Sequence, residues 1–251
     1  MIEIICGDSM QLMQSMTQYT KGFDMLFLDP PFFNWEIKHG DKPDHNQLSQ
    51  YAYRLLKPNG ILWLCGTQPQ LIEDYKYWAR WFRVVFEMIQ SKTGGVPPVN
   101  KWQPLRMHEN IWCMINKNAK ISDSHLSIDK VTNEGTIVKA DERANRMKIR
   151  YGQDWIKWRE NVGYPKSVFD TPRITSGNAE YVGHPTQKPL KLIETIVKMS
   201  TDENDWILDP FAGSGTTLVI AQQNNRNCIG IEINNDYVKI MKVMLKGRHA
   251  N

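Results

Sequence analysis

The sequence predicts an α/β domain: a mostly parallel sheet with helices on both faces, interrupted by one small inserted region. Three observations carry that prediction. Apolar strand-like runs alternate with helical stretches along most of the 251 residues, the pattern of successive βα units. Two of the runs, Met25-Leu26-Phe27-Leu28 and Trp206-Ile207-Leu208, pass directly into carboxylate-proline turns, Asp29-Pro30-Pro31-Phe32 and Asp209-Pro210-Phe211. Between residues 117 and 183 the periodicity lapses into a mixture of polar residues, Gly and Trp, and it returns beyond.

Taken in order, Ile2 to Ile5 reads as a strand closed by Gly7-Asp8, Ser9 to Met16 as a short helix and Phe23 to Leu28 as the next strand. Leu48 to Leu56 has helical spacing and stops at Lys57-Pro58-Asn59-Gly60, a turn, after which Ile61 to Cys65 is a buried strand. Leu71 to Phe82 reads as a helix rich in aromatics. Arg83 to Ile89 and Asn110 to Ile115 are two further strands, joined by a loop from Thr93 to Gln103. Beyond the irregular region, Pro189 suits the first turn of a helix that places Leu192, Ile193, Ile196 and Val197 on one face. Trp206 to Asp209 is a strand, Thr216 to Gln223 a helix, Asn227 to Ile233 a strand and Asp236 to Lys246 a closing amphipathic helix.

The length fits one substantial domain. A net charge of +4 is compatible with a polyanionic partner without specifying one. No apolar run approaches the ~18 to 20 residues of a membrane span, and Met1 leads into Ile2-Glu3-Ile4-Ile5 without the basic start of a secretory signal. A cytoplasmic location, away from membranes, is the expectation. The cysteines, Cys6, Cys65, Cys113 and Cys228, form no C-x-x-C pair. They read as reduced, mostly buried thiols, with neither a disulfide framework nor a metal site.

Gly213-Ser214-Gly215-Thr216-Thr217-Leu218 supplies the first two glycines of the dinucleotide fingerprint but has Leu218 at the third, which weakens a pyrophosphate reading. Glu232 closes the following strand, where an acid can accept hydrogen bonds from both ribose hydroxyls. Alone, the loop fits a tight βα turn and a nucleoside site equally. Asp29-Pro30-Pro31-Phe32 is a rigid turn that carries a hydrogen-bond acceptor and a flat stacking surface, which suits a planar base.

In combination these features resemble the DNA amino-methyltransferases, which methylate adenine at N6 or cytosine at N4. His184-Pro185-Thr186-Gln187-Lys188-Pro189 matches a further motif of that family. The order, with Asp-Pro-Pro-Phe first, then a variable region, then the His-Pro-Thr-Gln-Lys-Pro motif and the glycine turn, resembles the beta group. The resemblance implies a Rossmann-like, S-adenosylmethionine-dependent methyltransferase sheet of seven strands, one of them antiparallel. Residues 1–116 and 184–251 would form the catalytic domain and 117–183 a target-recognition region. Because the motif order is cut there, the helix from Asp236 should lead in space to the Ile2 strand, within the sheet that holds Asn227 to Ile233.

The resemblance also implies roles. Asp209, Phe211, Gly213 and Gly215 would shape the cofactor pocket, and Glu232 would hold the ribose. Thr186 and Lys188 would contact the methionine carboxylate end of the cofactor, with Gln187 beside them in the same cofactor-binding motif, and Asp8 would sit near the cofactor adenine. Taken singly, Asp8 reads equally as a helix cap and Lys188 as a solvated lysine. The Asp29 carboxylate and the Pro30 carbonyl would accept the two hydrogens of the target amine, with Pro31 stiffening the turn and Phe32 stacking on a base rotated out of the duplex. Phe33 and Trp35 extend the aromatic patch. Adenine is favoured over cytosine because the cytosine-N4 members more often carry Ser where Asp29 stands. No cysteine follows a proline, so the covalent chemistry of C5 methylation is disfavoured.

The partner implied is double-stranded DNA. Arg143, Arg146, Lys148, Arg150, Lys157 and Arg159, with Lys139, are interleaved with Tyr151, Trp155 and Trp158 in the variable region. They suit phosphate contact, although Asp141, Glu142, Asp154 and Glu160 also fit a solvated amphipathic helix. Lys101, Arg106 and His108 would add to that face. A paired restriction nuclease and a homodimer are left open. The rival readings are a nicotinamide oxidoreductase, which leaves Asp-Pro-Pro-Phe unexplained, and a catalytically silent nucleic-acid-binding relative.

Overall fold

The computed structural model describes residues 1–31, 43–96, 101–102, 104–128, 130–131, 136–137, 163–164, 166–172 and 174–247. It divides into two compact units, Met1–Leu126 with Val168–Asn251, and Ser127–Ser167.

The larger unit is built on strands β1 (Ile2–Cys6), β2 (Phe23–Leu28), β3 (Leu56–Gly66), β4 (Phe82–Val96) and β5 (Arg106–Asn116), then β8 (Val168–Pro172), β9 (Trp206–Asp209) and β10 (Asn227–Glu232). Its helices are α1 (Ser9–Ser15), α2 (His45–Leu55), α3 (Gln70–Trp78), α4 (Leu190–Ser200), α5 (Thr216–Gln223) and α6 (Asn235–Gly247). The eight strands form one sheet in the order β1-β10-β9-β2-β3-β5-β4-β8. Every neighbouring pair is parallel except those of β5, which runs against both β3 and β4.

β2 is buried along its whole length because both of its faces are covered. Met25 and Phe27 point into one apolar cluster with Leu192, Ile196, Leu218 and Met241 of α4, α5 and α6. Leu26 and Leu28 point into the other, with Met13, Leu48, Ala52, Leu71 and Trp78 of α1, α2 and α3. The one polar residue in β2, Asp24, is 1 % exposed. Lys57 Nζ at 2.7 Å and the Trp206 backbone N–H at 2.9 Å satisfy it.

The sheet is therefore mostly parallel with one antiparallel strand, as the resemblance implied, but it has eight strands rather than seven. The addition is β8, which pairs with β4 from Ile89↔Val168 to Thr93↔Pro172. Five residues next to an irregular stretch carry too little periodicity to announce a strand, and β4 supplies its hydrogen bonds. The helix expected from Leu71 to Phe82 ends at Trp78, and Phe82 instead opens β4 opposite Asn116. The turn expected at Lys57–Gly60 is absorbed into β3, which pairs with β2 at Phe23↔Leu56 and resumes at Met25↔Ile61 after a shift of register. Pro189 caps α4 rather than entering its first turn.

β1 lies beside β10 in parallel register, from Ile2↔Cys228 to Cys6↔Glu232, and α6 packs against both strands. The N-terminal strand thus completes the sheet next to the last strand of the chain. In the smaller unit, the described residues include β6 (Thr136–Ile137) and β7 (Gly163–Tyr164), an antiparallel pair. Arg143, Arg146, Lys148, Arg150, Lys157 and Arg159 lie outside the described residues, as do Phe32, Phe33 and Trp35. Among the described residues no helix is long and apolar enough to cross a membrane.

Candidate active site

Because β1, β2, β9 and β10 are parallel, their C-terminal ends share one edge of the sheet, where crossover loops diverge and leave a crevice. A cavity of about 410 Å³ opens there. It is lined by Asp8 and Ser9 after β1, Asp29, Pro30 and Pro31 after β2, Asp209, Phe211 and Gly213 after β9, and Glu232 at the end of β10. His184, Pro185, Thr186 and Lys188 join them from the segment before α4.

The glycine turn and Glu232 form one construction. Glu232 is 9 % exposed, and its carboxylate accepts hydrogen bonds from the backbone N–H of Gly213 at 2.9 Å and of Asn234 at 2.7 Å. Gly213 has φ 51°, and a Cβ there would stand 3.0 Å from the His184 ring. Gly215, with φ 82°, caps α5. It does not line the cavity; a Cβ there would stand 2.5 Å from Met241 Cγ, so this glycine lets α5 approach α6. Gly215→Ala is expected to lower stability by about 1–3 kcal/mol through overpacking and left-handed strain, as read by urea unfolding.

Asp8 lines the cavity and also caps α1, accepting from the Gln11 backbone N–H at 2.8 Å. Gln187 turns away from the cavity. Its amide accepts from the Val182 N–H at 3.0 Å and donates to the Glu180 carbonyl at 2.7 Å, bracing the loop that carries its motif. Burial holds the His184 imidazole, with Lys188 nearby, down to about 4, so it is neutral at physiological pH. Its ring meets Tyr237 edge-on at 4.3 Å. Burial pushes the Asp209 carboxyl up to about 7, against hydrogen bonds from Thr217 and the Phe211 N–H.

The acceptor side is organised by ion pairs. Lys188 is not a solvated lysine: it is 6 % exposed. Its Nζ lies 2.5 Å from Asp29 Oδ2 and 3.2 Å from Glu109 Oε2. Glu109 Oε1 accepts in turn from Lys92 Nζ. Both carboxylates line the cavity. Burial raises the Asp29 carboxyl, opposed chiefly by the Lys188 charge. Glu109 is also buried, yet Lys188 and Lys92 together hold it down to about 2, so it is ionised.

No thiol lines the cavity. Cys65, Cys113 and Cys228 are buried, and burial raises each of them; Cys6 is exposed and does not line the cavity.

Residues 23–243 match the family described as DNA methylase, with N6 and N4 members. The chain belongs to this family. Its motif order is that of the beta group. Among its curated relatives, the DNA adenine methyltransferase YhdJ of Escherichia coli (strain K12) is 38 % identical over 259 residues, covering 94 % of this chain and 80 % of the relative. The type II methyltransferase M2.DpnII of Streptococcus pneumoniae is 27 % identical, covering 98 % and 90 %. Among solved structures, the complex of M1.HpyAVI with S-adenosylmethionine has a TM-score of 0.62 at 22 % identity, covering 98 % of this chain and 100 % of that one. This likeness shows the methyltransferase fold.

The sequence pattern does not single out Glu109, which lines the cavity, or Lys92, which pairs with it. The available signal was weak: a carboxylate and a lysine each intruding at the end of an apolar strand. What makes them part of the site is the antiparallel pairing of β4 and β5, with Gln90 opposite Glu109. That pairing brings the start of β5 to the edge where the parallel strands end. Arg106 and His108 lie beside it on β5.

Proposed function

We propose that the protein transfers the methyl group of S-adenosylmethionine to the exocyclic N6 amine of adenine in double-stranded DNA. The observation that carries this reading is a single cavity bounded on one side by the Gly213 turn and Glu232, and on the other by Asp29 and Pro30. The first half suits a nucleoside cofactor and the second a primary amine. The 38 % identical relative named as a DNA adenine methyltransferase supports adenine as the base.

The residues fit the cofactor. A volume of about 410 Å³ lies within the usual range of ligand pockets, about 300–1,000 Å³. A carboxylate has about four acceptor sites, and Glu232 stands in the cavity wall where ribose hydroxyls would reach it. Thr186 and Phe211 would close the site, and Asp8 would approach the adenine. When bound, S-adenosylmethionine supplies an electrophilic methyl group. Asp29 and the Pro30 carbonyl would accept the two amine hydrogens of the target base and draw its nitrogen towards tetrahedral geometry, so that the lone pair is available for attack. Phe32, next in the turn, would stack on the flipped base. The methylated nitrogen is cationic and acidic, so the Asp29 carboxylate suffices to receive its proton. Positioning and electrostatics supply most of the acceleration. Arg143, Arg146, Lys148, Arg150, Lys157 and Arg159 belong in this reading to the target-recognition region, as phosphate contacts.

Nucleoside mass spectrometry on DNA from cells expressing the protein tests the proposal. N6-methyladenine is expected; N4-methylcytosine in its place would reassign the base, and neither product would overturn the reading. Glu232→Ala should weaken S-adenosylmethionine binding about tenfold or more, since a hydrogen bond to a charged group is worth about 1.5–3 kcal/mol. Unchanged affinity by calorimetry would remove Glu232 from the cofactor site.

A further inference from the structure

We infer that Glu109 and Lys92 are positioning residues for the transfer: their ion pair holds the Lys188 ammonium against Asp29 and sets the charge around the acceptor carboxylate. This rests on the reading of Asp29 as the amine acceptor.

Four charges alternate in sign along one chain of contacts: Asp29, Lys188, Glu109 and Lys92. Glu109 divides its two oxygens, Oε1 to Lys92 and Oε2 to Lys188, and Lys188 spans the 3.2 Å to Glu109 and the 2.5 Å to Asp29. Side-chain exposure is 16 % for Asp29, 7 % for Lys188, 12 % for Glu109 and 16 % for Lys92. Glu109 sits on β5 opposite Gln90, and Lys92, two residues further along β4, shares that face because side chains alternate along a strand. The arrangement sums to zero charge, which lets Asp29 remain an acceptor in a site where an isolated carboxylate would be neutralised.

A buried chain of ions is a poor means of stabilising a fold, since apolar residues of the same volume serve as well or better. This chain ends on the reactive carboxylate. The charged and titratable groups that face Asp29 come from four elements and one loop: Lys188 before α4, Glu109 on β5, Lys92 on β4, Cys65 on β3 and Asp209 on β9. Burial and Glu109 raise the Asp29 carboxyl, whereas Lys188 and Lys92 lower it. Removing the negative charge of Glu109 and removing the positive charge of Lys92 must therefore move Asp29 in opposite directions. A bracing role would have no such signature.

The test is kcat against pH for Glu109→Gln, Glu109→Asp and Lys92→Met on duplex DNA at saturating S-adenosylmethionine, with cofactor affinity measured by calorimetry. Activity requires ionised Asp29, so it falls as pH falls through that group's pKa. Glu109→Gln should lower kcat about tenfold through loss of the charge that faces the Lys188 ammonium, and move this acid limb to lower pH. Lys92→Met should move it to higher pH. Glu109→Asp should recover part of kcat, and all three should bind cofactor within about threefold of wild type. Acid limbs that stay in place or move the same way in Glu109→Gln and Lys92→Met would overturn the inference, as would loss of cofactor binding in both. An active wild type with those results leaves the proposed function standing. A wild type that methylates no DNA overturns both.

Discussion

Asp29→Ala is expected to reduce kcat by about a thousandfold or more while S-adenosylmethionine affinity stays within about threefold. The lost carboxylate acts on the amine, through a hydrogen bond that strengthens as the nitrogen becomes cationic, and removing one such preorganised group costs about 10²–10³ in rate. Loss of the proton acceptor adds to that. The variant should fold, because Lys188 keeps Glu109 at 3.2 Å as a counter-ion. Single-turnover methylation alongside calorimetry checks both halves. Full activity in this variant would sink the mechanism, and loss of cofactor binding would show that Asp29 serves the other side of the cavity.

Lys188→Met is the second large effect, on stability and on activity together. Methionine keeps much of the apolar length of lysine but leaves Asp29 and Glu109 without the cation between them, and breaking a buried ion pair on one side costs about 3–5 kcal/mol. Without Lys188, Glu109 is still held down by Lys92, but the Asp29 carboxyl, which burial already raises, moves further above its unfolded value. Such a group destabilises the fold at pH above its raised pKa, and the penalty is relieved as pH falls through that value. The melting temperature of the variant should therefore lie furthest below wild type near pH 8 and approach it towards pH 5. Methylation at neutral pH should be lost, because a proton held at Asp29 occupies the acceptor. A gap in melting temperature that is constant with pH would show that Lys188 contributes packing rather than charge.

Much of the architecture is readable without coordinates because it depends on local chemistry. β2 has six consecutive buried residues, the pattern of a strand covered on both faces. The Asp-Pro turns after β2 and β9, the glycines at positive φ and the acid that closes β10 are each specified within a few residues of chain. Asp8 shows how a local signal carries two meanings: it caps α1 and lines the cavity. Gln187 and Gly215 show the limit of transferring roles by motif, since the first braces its own loop and the second makes room for Met241.

By itself, the sequence determined the alternation of strands and helices, the permuted order of the motifs and the residue types available at the sheet edge, because hydrophobic period and turn chemistry are properties of neighbouring residues. The tertiary structure alone decided that β8 joins the sheet, that β5 brings Glu109 and β4 brings Lys92 to the acceptor, and that Lys188 lies against Asp29 across 159 residues of chain. The physical reason is that an ion pair depends on distance and desolvation. Both are set by strand register and burial, which arise only when segments remote in the chain pack together.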